Sequence, residues 1–292
     1  MTAAPEQHPQ AIGRLTSFFR RTGPSESPAH FCHEFRSISC RIPYLLASVG
    51  LLLAGSPALR AKIDPQPFEY AKGTLNEQED RPDTPRTGKI VLCLAGDSTV
   101  TYSQGYAAGF RAHLDKQLQV INRSRGGRTT TSFRNDGRWD DILKIKPDYV
   151  MIQFGHNDGR DLELYARNLT RFIDEARAAG IKPILVTPVS RRYWQDDGTI
   201  KDDLIEKVAV MHKLAAEKKV PMMELHERAV DLYLKVGRKE SETWGLPKPD
   251  PANPKVVILD KTHFNPAGSQ AMGKVVADEL KRAVPELAPY ID

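Results

Sequence analysis

Five short apolar runs, separated by amphipathic stretches, constrain the fold of this chain more than any other feature. The first run, residues 90–95, is apolar throughout, as expected for a strand buried on both faces of a sheet. Similar runs occur at residues 120–121, 149–154, 183–187 and 221–225. Stretches with helical spacing cover residues 105–118, 139–144, 162–179, 202–218, 227–234 and 266–283. This alternation predicts an α/β fold in which a parallel sheet is covered by helices on both faces.

Two segments show neither strand nor helix periodicity. Residues 62–87 are rich in Pro, Asp, Glu and Lys, which predicts a linker or an extended lead-in to a domain at residues 88–292. Residues 237–255 contain two glycines and four prolines, which predicts a long surface loop.

The first 61 residues do not look like part of that domain. The apolar run at residues 44–55 has the length of a signal-peptide core and is too short to span a bilayer. Arg36 and Arg41 provide a positive flank, and cleavage after Ala58 or Ala61 is expected. We therefore predict export, to the outside of the cell or to the periplasm and cell envelope. A short N-terminal membrane anchor or a core helix are the alternatives for this run.

Charge and cysteine content exclude two further classes of protein. Residues 1–61 hold six arginines and three glutamates, so they contribute +3 of the net charge of +5. The remainder is too weakly basic for a nucleic-acid-binding protein. Cys32 and Cys40 would leave with the signal peptide, so Cys93 would be the only cysteine, placed in the core. We expect no disulfide framework, no nucleic-acid partner, no stable membrane span and a monomer.

Four short blocks lie where strands of the predicted fold end. They are Gly96-Asp97-Ser98, Gly126-Gly127-Arg128, Gly155-His156-Asn157-Asp158 and Asp260-Lys261-Thr262-His263. In open α/β sheets, functional side chains gather at the carboxyl ends of the strands. Together the blocks can supply the nucleophile, base and oxyanion donors of an acyl-transfer site.

Ser98 follows the first strand directly, and a serine nucleophile needs a base. His263 is the candidate base, because Asp260 stands three residues before it and can accept from one ring nitrogen. The alternative is that Ser98 or Thr99 caps a helix, that Asp260 pairs with Lys261, and that His263 caps the last helix.

Oxyanion donors are predicted from the two glycine-containing blocks. The Asn157 amide follows a strand, and Gly127 allows its backbone N–H to approach a substrate closely. The backbone N–H of Ser98 would be the third donor. Ordinary turns are the alternative for both blocks.

The order and spacing of these motifs resemble the SGNH (GDSL-type) hydrolase superfamily, and more narrowly its rhamnogalacturonan acetylesterases. The resemblance spans residues 88–284. It implies a flavodoxin-like three-layer α/β/α fold and a site without metal or cofactor. It also implies that Ser98 is the nucleophile, His263 the base, Asp260 the orienter, and Ser98, Gly127 and Asn157 the oxyanion hole.

Other parts of the sequence bear on substrate and metal. No metal-ligand spacing such as His-Glu-x-x-His or Cys-x-x-Cys occurs. Arg191, Arg192 and Trp194 follow the strand at 183–187, which favours a rim that binds sugar rings and uronate carboxylates; an exposed loop with one buried aromatic is the alternative.

We therefore predict an exported serine esterase that removes acetyl groups from an acetylated carbohydrate, expected to be pectic rhamnogalacturonan. One alternative is an esterase, lipase or thioesterase with another short-chain acyl preference. The other is a non-catalytic carbohydrate-binding protein that keeps the fold.

Overall fold

Five parallel strands form the central sheet, in the order β2-β1-β3-β4-β5. Their bounds are β1 Ile90–Gly96, β2 Leu118–Asn122, β3 Tyr149–Gln153, β4 Lys182–Val186 and β5 Met222–Met223. The computed structural model describes residues 63–66, 80 and 83–292. The predicted signal peptide, Cys32 and Cys40 lie outside the described residues.

Helices connect the strands and cover both faces of the sheet. They are α1 Ala107–Arg111, α2 Thr130–Asn135, α3 Arg138–Ile145, α4 Leu162–Ala178, α5 Ile205–Lys218, α6 Leu225–Val236, α7 Arg238–Thr243 and α8 Pro266–Ala283. Short 3₁₀ turns cover Ser98–Val100 and Pro285–Tyr290. Within the described part of the chain, no helix is long and apolar enough to cross a bilayer.

Alternate residues of β1 enter two separate apolar cores. Leu92 and Leu94 pack on the side of α1, α6 and α8, whereas Val91 and Cys93 pack on the side of α3, α4 and α5. The continuous apolar run of β1 is therefore explained by burial on both faces. The predicted three-layer α/β/α fold is confirmed, and so is the core position of Cys93.

The prediction of a long loop at residues 237–255 is wrong. This segment contains α7 and a strand, β6 (Gly245–Pro249), which pairs antiparallel with β7 (Val257–Phe264). Proline is tolerated in β6 because the strand has a neighbour on one side only, so a missing N–H on the other side breaks no ladder bond. Asp260 and His263 both lie within β7, so this block does not follow the end of a strand as the other blocks do.

The described residues of the predicted lead-in lie against the domain. Gln66 N–H donates to Leu114 O (2.9 Å), and Asp80 Oδ2 accepts from Asn122 N–H (2.7 Å). These bonds give the described residues of this segment partners in the domain. The domain boundary at residue 88 stays a prediction.

Candidate active site

Ser98 is the first residue of the 3₁₀ turn that follows β1, at the carboxyl edge of the sheet. Asp97 caps this turn: its Oδ1 accepts from the N–H and from the hydroxyl of Thr99 (2.9 and 2.8 Å). The capping role is therefore taken by Asp97, which leaves the hydroxyl of Ser98 available. Ser98 lines a surface cavity of about 400 Å³.

His263 reaches Ser98 from β7, 165 residues later in the chain. Its Nε2 lies 2.8 Å from Ser98 Oγ, which is hydrogen-bond distance. The end of β7 is held beside the nucleophile turn because Phe264 N–H donates to Gln104 O (2.8 Å). His263 does not cap α8, since Asn265 accepts from Gly268 N–H (3.0 Å) and takes that position.

Asp260 lies behind His263 on the same strand. Its Oδ1 is 3.4 Å from His263 Nδ1 and accepts from the backbone N–H groups of Thr262 and His263 (2.6 and 2.8 Å). Its Oδ2 accepts from Lys248 on β6 (2.8 Å), so the alternative pairing with Lys261 is replaced by one across the hairpin. Burial disfavours the carboxylate, but the hydrogen bonds from His263, Lys248 and the backbone outweigh it. The pKa of Asp260 is therefore held well below its ordinary value.

Gly245 allows this hairpin to close on Asp260. A Cβ added to Gly245 would lie 2.2 Å from Asp260 O, a distance at which the backbones could not stay in place. The close approach of the two strands therefore requires glycine here.

The three predicted oxyanion donors border the same cavity as His263. Ser98, Gly127 and Asn157 all line it, together with Gly126. Gly127 has a φ of +74° and open space where a Cβ would stand, so its backbone can face a ligand. Asn157 Nδ2 donates one hydrogen to Arg128 O (3.2 Å), and its amide has a second to donate.

Comparison with known proteins agrees with this geometry. The family described as the GDSL-like Lipase/Acylhydrolase family matches residues 94–271. The chain belongs to this family. It is therefore a carboxylic ester hydrolase, in agreement with the resemblance read from the motifs.

Individual members of the family are similar over most of their length. The rhamnogalacturonan acetylesterase RhgT of Bacillus subtilis (strain 168) is 34% identical over 209 residues, which cover 66% of this chain and 90% of the relative. A probable rhamnogalacturonan acetylesterase of the same organism, YesY, is 33% identical over 207 residues, covering 65% of this chain and 92% of YesY. The crystal structure of YxiM, also from B. subtilis, superimposes with a TM-score of 0.58 at 28% identity. That match covers 68% of this chain and 58% of YxiM.

The prediction that Arg192 binds substrate is wrong for this GDSL-like hydrolase. Arg192 is fully buried, and its Nη2 donates to the carbonyl oxygens of Asp260 (2.9 Å) and His263 (2.6 Å). Its guanidinium also lies 4.7 Å from the ring centre of Phe264. Arg192 therefore braces β7 from behind and holds the strand that carries the base.

Trp194 is half-buried against the core, and its indole N–H donates to Ser241 Oγ (3.0 Å). It is not among the residues that line the cavity, and its role in binding sugar rings stays a prediction. Arg191 does line the cavity, and its guanidinium is held by Asp203 Oδ2 (2.5 Å) and His156 O (3.1 Å). A substrate-binding role for Arg191 stays a prediction.

Sequence reasoning missed Lys248 and a role for His156. His156 lies between Asp97 and the loop after β4, where it contacts Asp97 Oδ2 (3.1 Å) and Val189 O (2.8 Å). Its position inside the Gly155–Asp158 block was a usable signal. No sequence pattern pointed to a role for Lys248, because it lies in a proline-rich segment. Asp158 Oδ1 accepts from Thr130 N–H (2.9 Å) at the first residue of α2, and burial raises the pKa of the Asp158 carboxyl.

Proposed function

We propose that this GDSL-like hydrolase is a serine esterase that works through an acyl-enzyme. The 2.8 Å contact between His263 Nε2 and Ser98 Oγ, at the edge of an open cavity, is the observation that carries the proposal. His263 takes the hydroxyl proton as Ser98 Oγ attacks the ester carbonyl carbon. It then gives that proton to the sugar oxygen as the bond between this oxygen and the acyl carbon breaks, and a water molecule hydrolyses the acyl-enzyme by the same steps.

Charge develops twice in this reaction, and the site offers a partner for each charge. The imidazolium formed on His263 faces the ionised carboxylate of Asp260. The tetrahedral oxyanion would accept from the backbone N–H groups of Ser98 and Gly127 and from the Asn157 amide. Each such donor is worth about 2.7–4 kcal/mol in a site of this kind.

The proposed substrate is an acetyl ester of an acidic, pectic carbohydrate such as rhamnogalacturonan. The relatives at 34% and 33% identity are named rhamnogalacturonan acetylesterases, which supports the acetyl group and the polysaccharide. The residues that line the cavity include Arg191 and no aspartate or glutamate. A guanidinium that lines the same cavity as the nucleophile favours a sugar that carries a carboxylate.

A substrate panel tests this function. We expect acetate release from acetylated pectic oligosaccharides to exceed release from acetylated xylan, and acetyl esters of p-nitrophenol to react faster than butyryl esters. Ser98→Ala should lower all of these rates by several orders of magnitude, because no acyl-enzyme can form. A folded Ser98→Ala protein that keeps a tenth of the wild-type rate would contradict the proposed nucleophile. Faster butyryl hydrolysis would support the alternative acyl preference.

Arg191→Gln tests the acidic sugar separately from the chemistry. We expect KM to rise for the pectic substrate more than for acetylated xylan, because only the former offers a carboxylate to the guanidinium. Arg167→Gln, on an exposed face of α4, is the matched control. Equal losses on both polysaccharides would contradict a carboxylate contact at Arg191.

Export is proposed from the apolar run at residues 44–55. Mass spectrometry of the protein from its native host should find a mature N-terminus near Lys62. An intact Met1 terminus in the cytoplasm would contradict both export and a polymeric substrate.

A further inference from the structure

Gln153 is the last residue of β3 and lies in the core, where it is only 1% exposed. Its side-chain Nε2 donates to Thr99 Oγ1 (2.7 Å). Thr99 directly follows Ser98, so this bond joins the end of β3 to the turn that carries the proposed nucleophile. Gln153 is not among the residues that line the cavity, so an effect on the reaction has to pass through Thr99.

The bonds of Thr99 determine the orientation of the Gln153 amide. The Thr99 hydroxyl has one hydrogen, which it donates to Asp97 Oδ1 (2.8 Å). Burial opposes ionisation of Asp97, but its neighbours His156 and Thr99 hold the pKa of the carboxyl below its ordinary value, so Asp97 is the acceptor. Thr99 Oγ1 can therefore only accept from Gln153. The NH₂ group of Gln153 faces Thr99, and the amide oxygen does not share this contact.

The amide oxygen of Gln153 is buried without a hydrogen bond. Oε1 has no partner among the residues that the structure describes. Burial of an unpaired acceptor costs free energy. The Thr99 hydroxyl does not need Gln153 either, because it already donates to Asp97. Stability alone therefore does not explain a glutamine at this position.

Asn122 provides a contrast on the other side of β1. It ends β2, is also 1% exposed, and its Nδ2 donates to Val100 O in the same turn (2.8 Å). Its Oδ1 accepts from Ser124 N–H (2.9 Å). Both ends of the Asn122 amide are bonded, so hydrogen bonding accounts for the burial of this residue. The same explanation covers only one end of Gln153.

The backbone ladder between β1 and β3 ends at the pair of Gly96 and Gln153. The proposed reactive residues come later in both segments: Ser98 lies two residues after Gly96, and Asn157 lies four residues after Gln153. The distance between them therefore depends on contacts beyond the end of the ladder. The bond from Gln153 to Thr99 is such a contact.

We propose that Gln153 is a positioning residue that fixes the nucleophile turn against the loop of Asn157. Its amide N–H holds Thr99, and with it the backbone N–H and the hydroxyl of Ser98, at a set distance from the end of β3. The Ser98 N–H and the Asn157 amide can then donate to the same oxyanion. The unpaired oxygen is a consequence of placing this donor in the core. This inference rests on the proposed function, in which Ser98 and Asn157 act on the ester.

Gln153→Met separates this role from a structural one, because methionine has a similar shape without polar ends. We expect the urea midpoint of unfolding to stay at or above the wild-type value, since an unpaired acceptor leaves the core. We expect kcat on a small acetyl ester to fall by roughly 10–100-fold with little change in KM, because a misplacement of about 1 Å can cost roughly 10²-fold. A clearly lower urea midpoint would overturn the proposal, because stability would then explain the glutamine. Wild-type kcat would overturn it as well.

A double-mutant cycle tests the route through Thr99. Thr99→Val removes the hydroxyl and keeps the branched shape of the side chain. If Gln153 acts through this hydroxyl, Gln153→Met should change kcat by less than about twofold in the Thr99→Val background. Losses that multiply would contradict the proposal, because they would show that the two side chains act independently.

Ser269→Ala is the matched control for the removal of a buried polar group. Ser269 is fully buried in α8, and its Oγ accepts from Gly109 N–H of α1 (3.2 Å). We expect the reverse pattern, a lower urea midpoint with wild-type kcat. A loss of kcat equal to that of Gln153→Met would attribute both losses to a general disturbance of the core and would refute the positioning role.

Ser98→Ala on the same ester distinguishes the two possible failures. If Ser98→Ala loses activity and Gln153→Met keeps the wild-type kcat, only the positioning role fails. If a folded Ser98→Ala protein keeps about a tenth of the wild-type rate, the proposed function fails, and this inference fails with it.

Discussion

Asp260→Asn probes the most densely bonded group of the proposed triad. The carboxylate accepts from two backbone N–H groups at one oxygen and from Lys248 at the other, at 2.6–2.8 Å. Asparagine keeps the shape of the side chain but replaces one acceptor oxygen by an NH₂ group, which donates. If the amide oxygen of the introduced asparagine keeps the backbone contacts, its NH₂ group faces the Lys248 ammonium. The Lys248 side chain is 45% exposed, so the ammonium can rotate toward the solvent.

The expected loss of stability follows from these contacts. A hydrogen bond to a charged group contributes about 1.5–3 kcal/mol, against about 1 kcal/mol for a neutral one. The loss of charge assistance costs about 0.5–2 kcal/mol for each backbone bond, so about 1–4 kcal/mol for the two. The half-exposed Lys248 contact adds at most about 1 kcal/mol. We expect the free energy of unfolding to fall by about 1–5 kcal/mol.

The expected loss of activity has a different origin. His263 Nδ1 lies 3.4 Å from Asp260 Oδ1, and the imidazolium of the transition state would lose this charged neighbour. A loss of about 1.5–3 kcal/mol corresponds to roughly 10–150-fold in kcat. His263→Ala should cost more, because it removes the base itself.

Urea unfolding at pH 7 and kcat on a small acetyl ester measure the two effects. Asp231→Asn, on an exposed part of α6, is the control and should stay within about 0.5 kcal/mol of the wild type. Because the pKa of Asp260 is lowered in the folded state, its contribution is complete above the unfolded Asp value of about 3.9. The stability difference between wild type and Asp260→Asn should therefore shrink as the pH falls below about 4. A folded variant that keeps more than a third of the wild-type kcat would refute the orienting role, and unchanged stability would refute the hydrogen-bond argument.

Three further predictions test neighbouring parts of the site. Asn157→Ala should lower kcat by about 10²–10³-fold through loss of one oxyanion donor; a loss below tenfold would remove Asn157 from the oxyanion hole. Hydrolysis should survive EDTA, because residues 63–66, 80 and 83–292 contain no group of three His, Cys, Asp or Glu side chains that could hold a metal; activity restored only by a divalent ion would contradict this. Gly245→Ala should lower both stability and kcat, since its Cβ would stand 2.2 Å from Asp260 O; wild-type melting would show that the hairpin can adjust.

Local pattern was sufficient for the central sheet and for two of the catalytic blocks. An apolar run buried on both faces identifies β1 and β3 without knowledge of their neighbours. Ser98 and Asn157 lie two and four residues after the ends of those strands, so the fold class places them at one edge of the sheet. The predicted signal peptide also rests on composition within a short window, and it stays a prediction.

Local sequence patterns could not predict which distant segments of the chain pair with each other. The hairpin of β6 and β7 is hidden by prolines that an edge strand tolerates, and Lys248 gains its meaning only from pairing with Asp260 across that hairpin. The partner of Lys248 could not be predicted, because the sequence around Lys248 is typical of a loop.

Neighbouring residues of one type were also indistinguishable in the sequence. Arg191 and Arg192 have the same chemistry, yet one lines the cavity and the other is fully buried behind β7. The chain by itself determined which elements form and which reactive side chains stand at their ends, because both follow from local hydrophobic spacing. Only the tertiary structure decided which arginine lines the cavity, which lysine holds Asp260 and which ring connects Asp97 to Val189. Those outcomes depend on contacts between segments far apart in sequence.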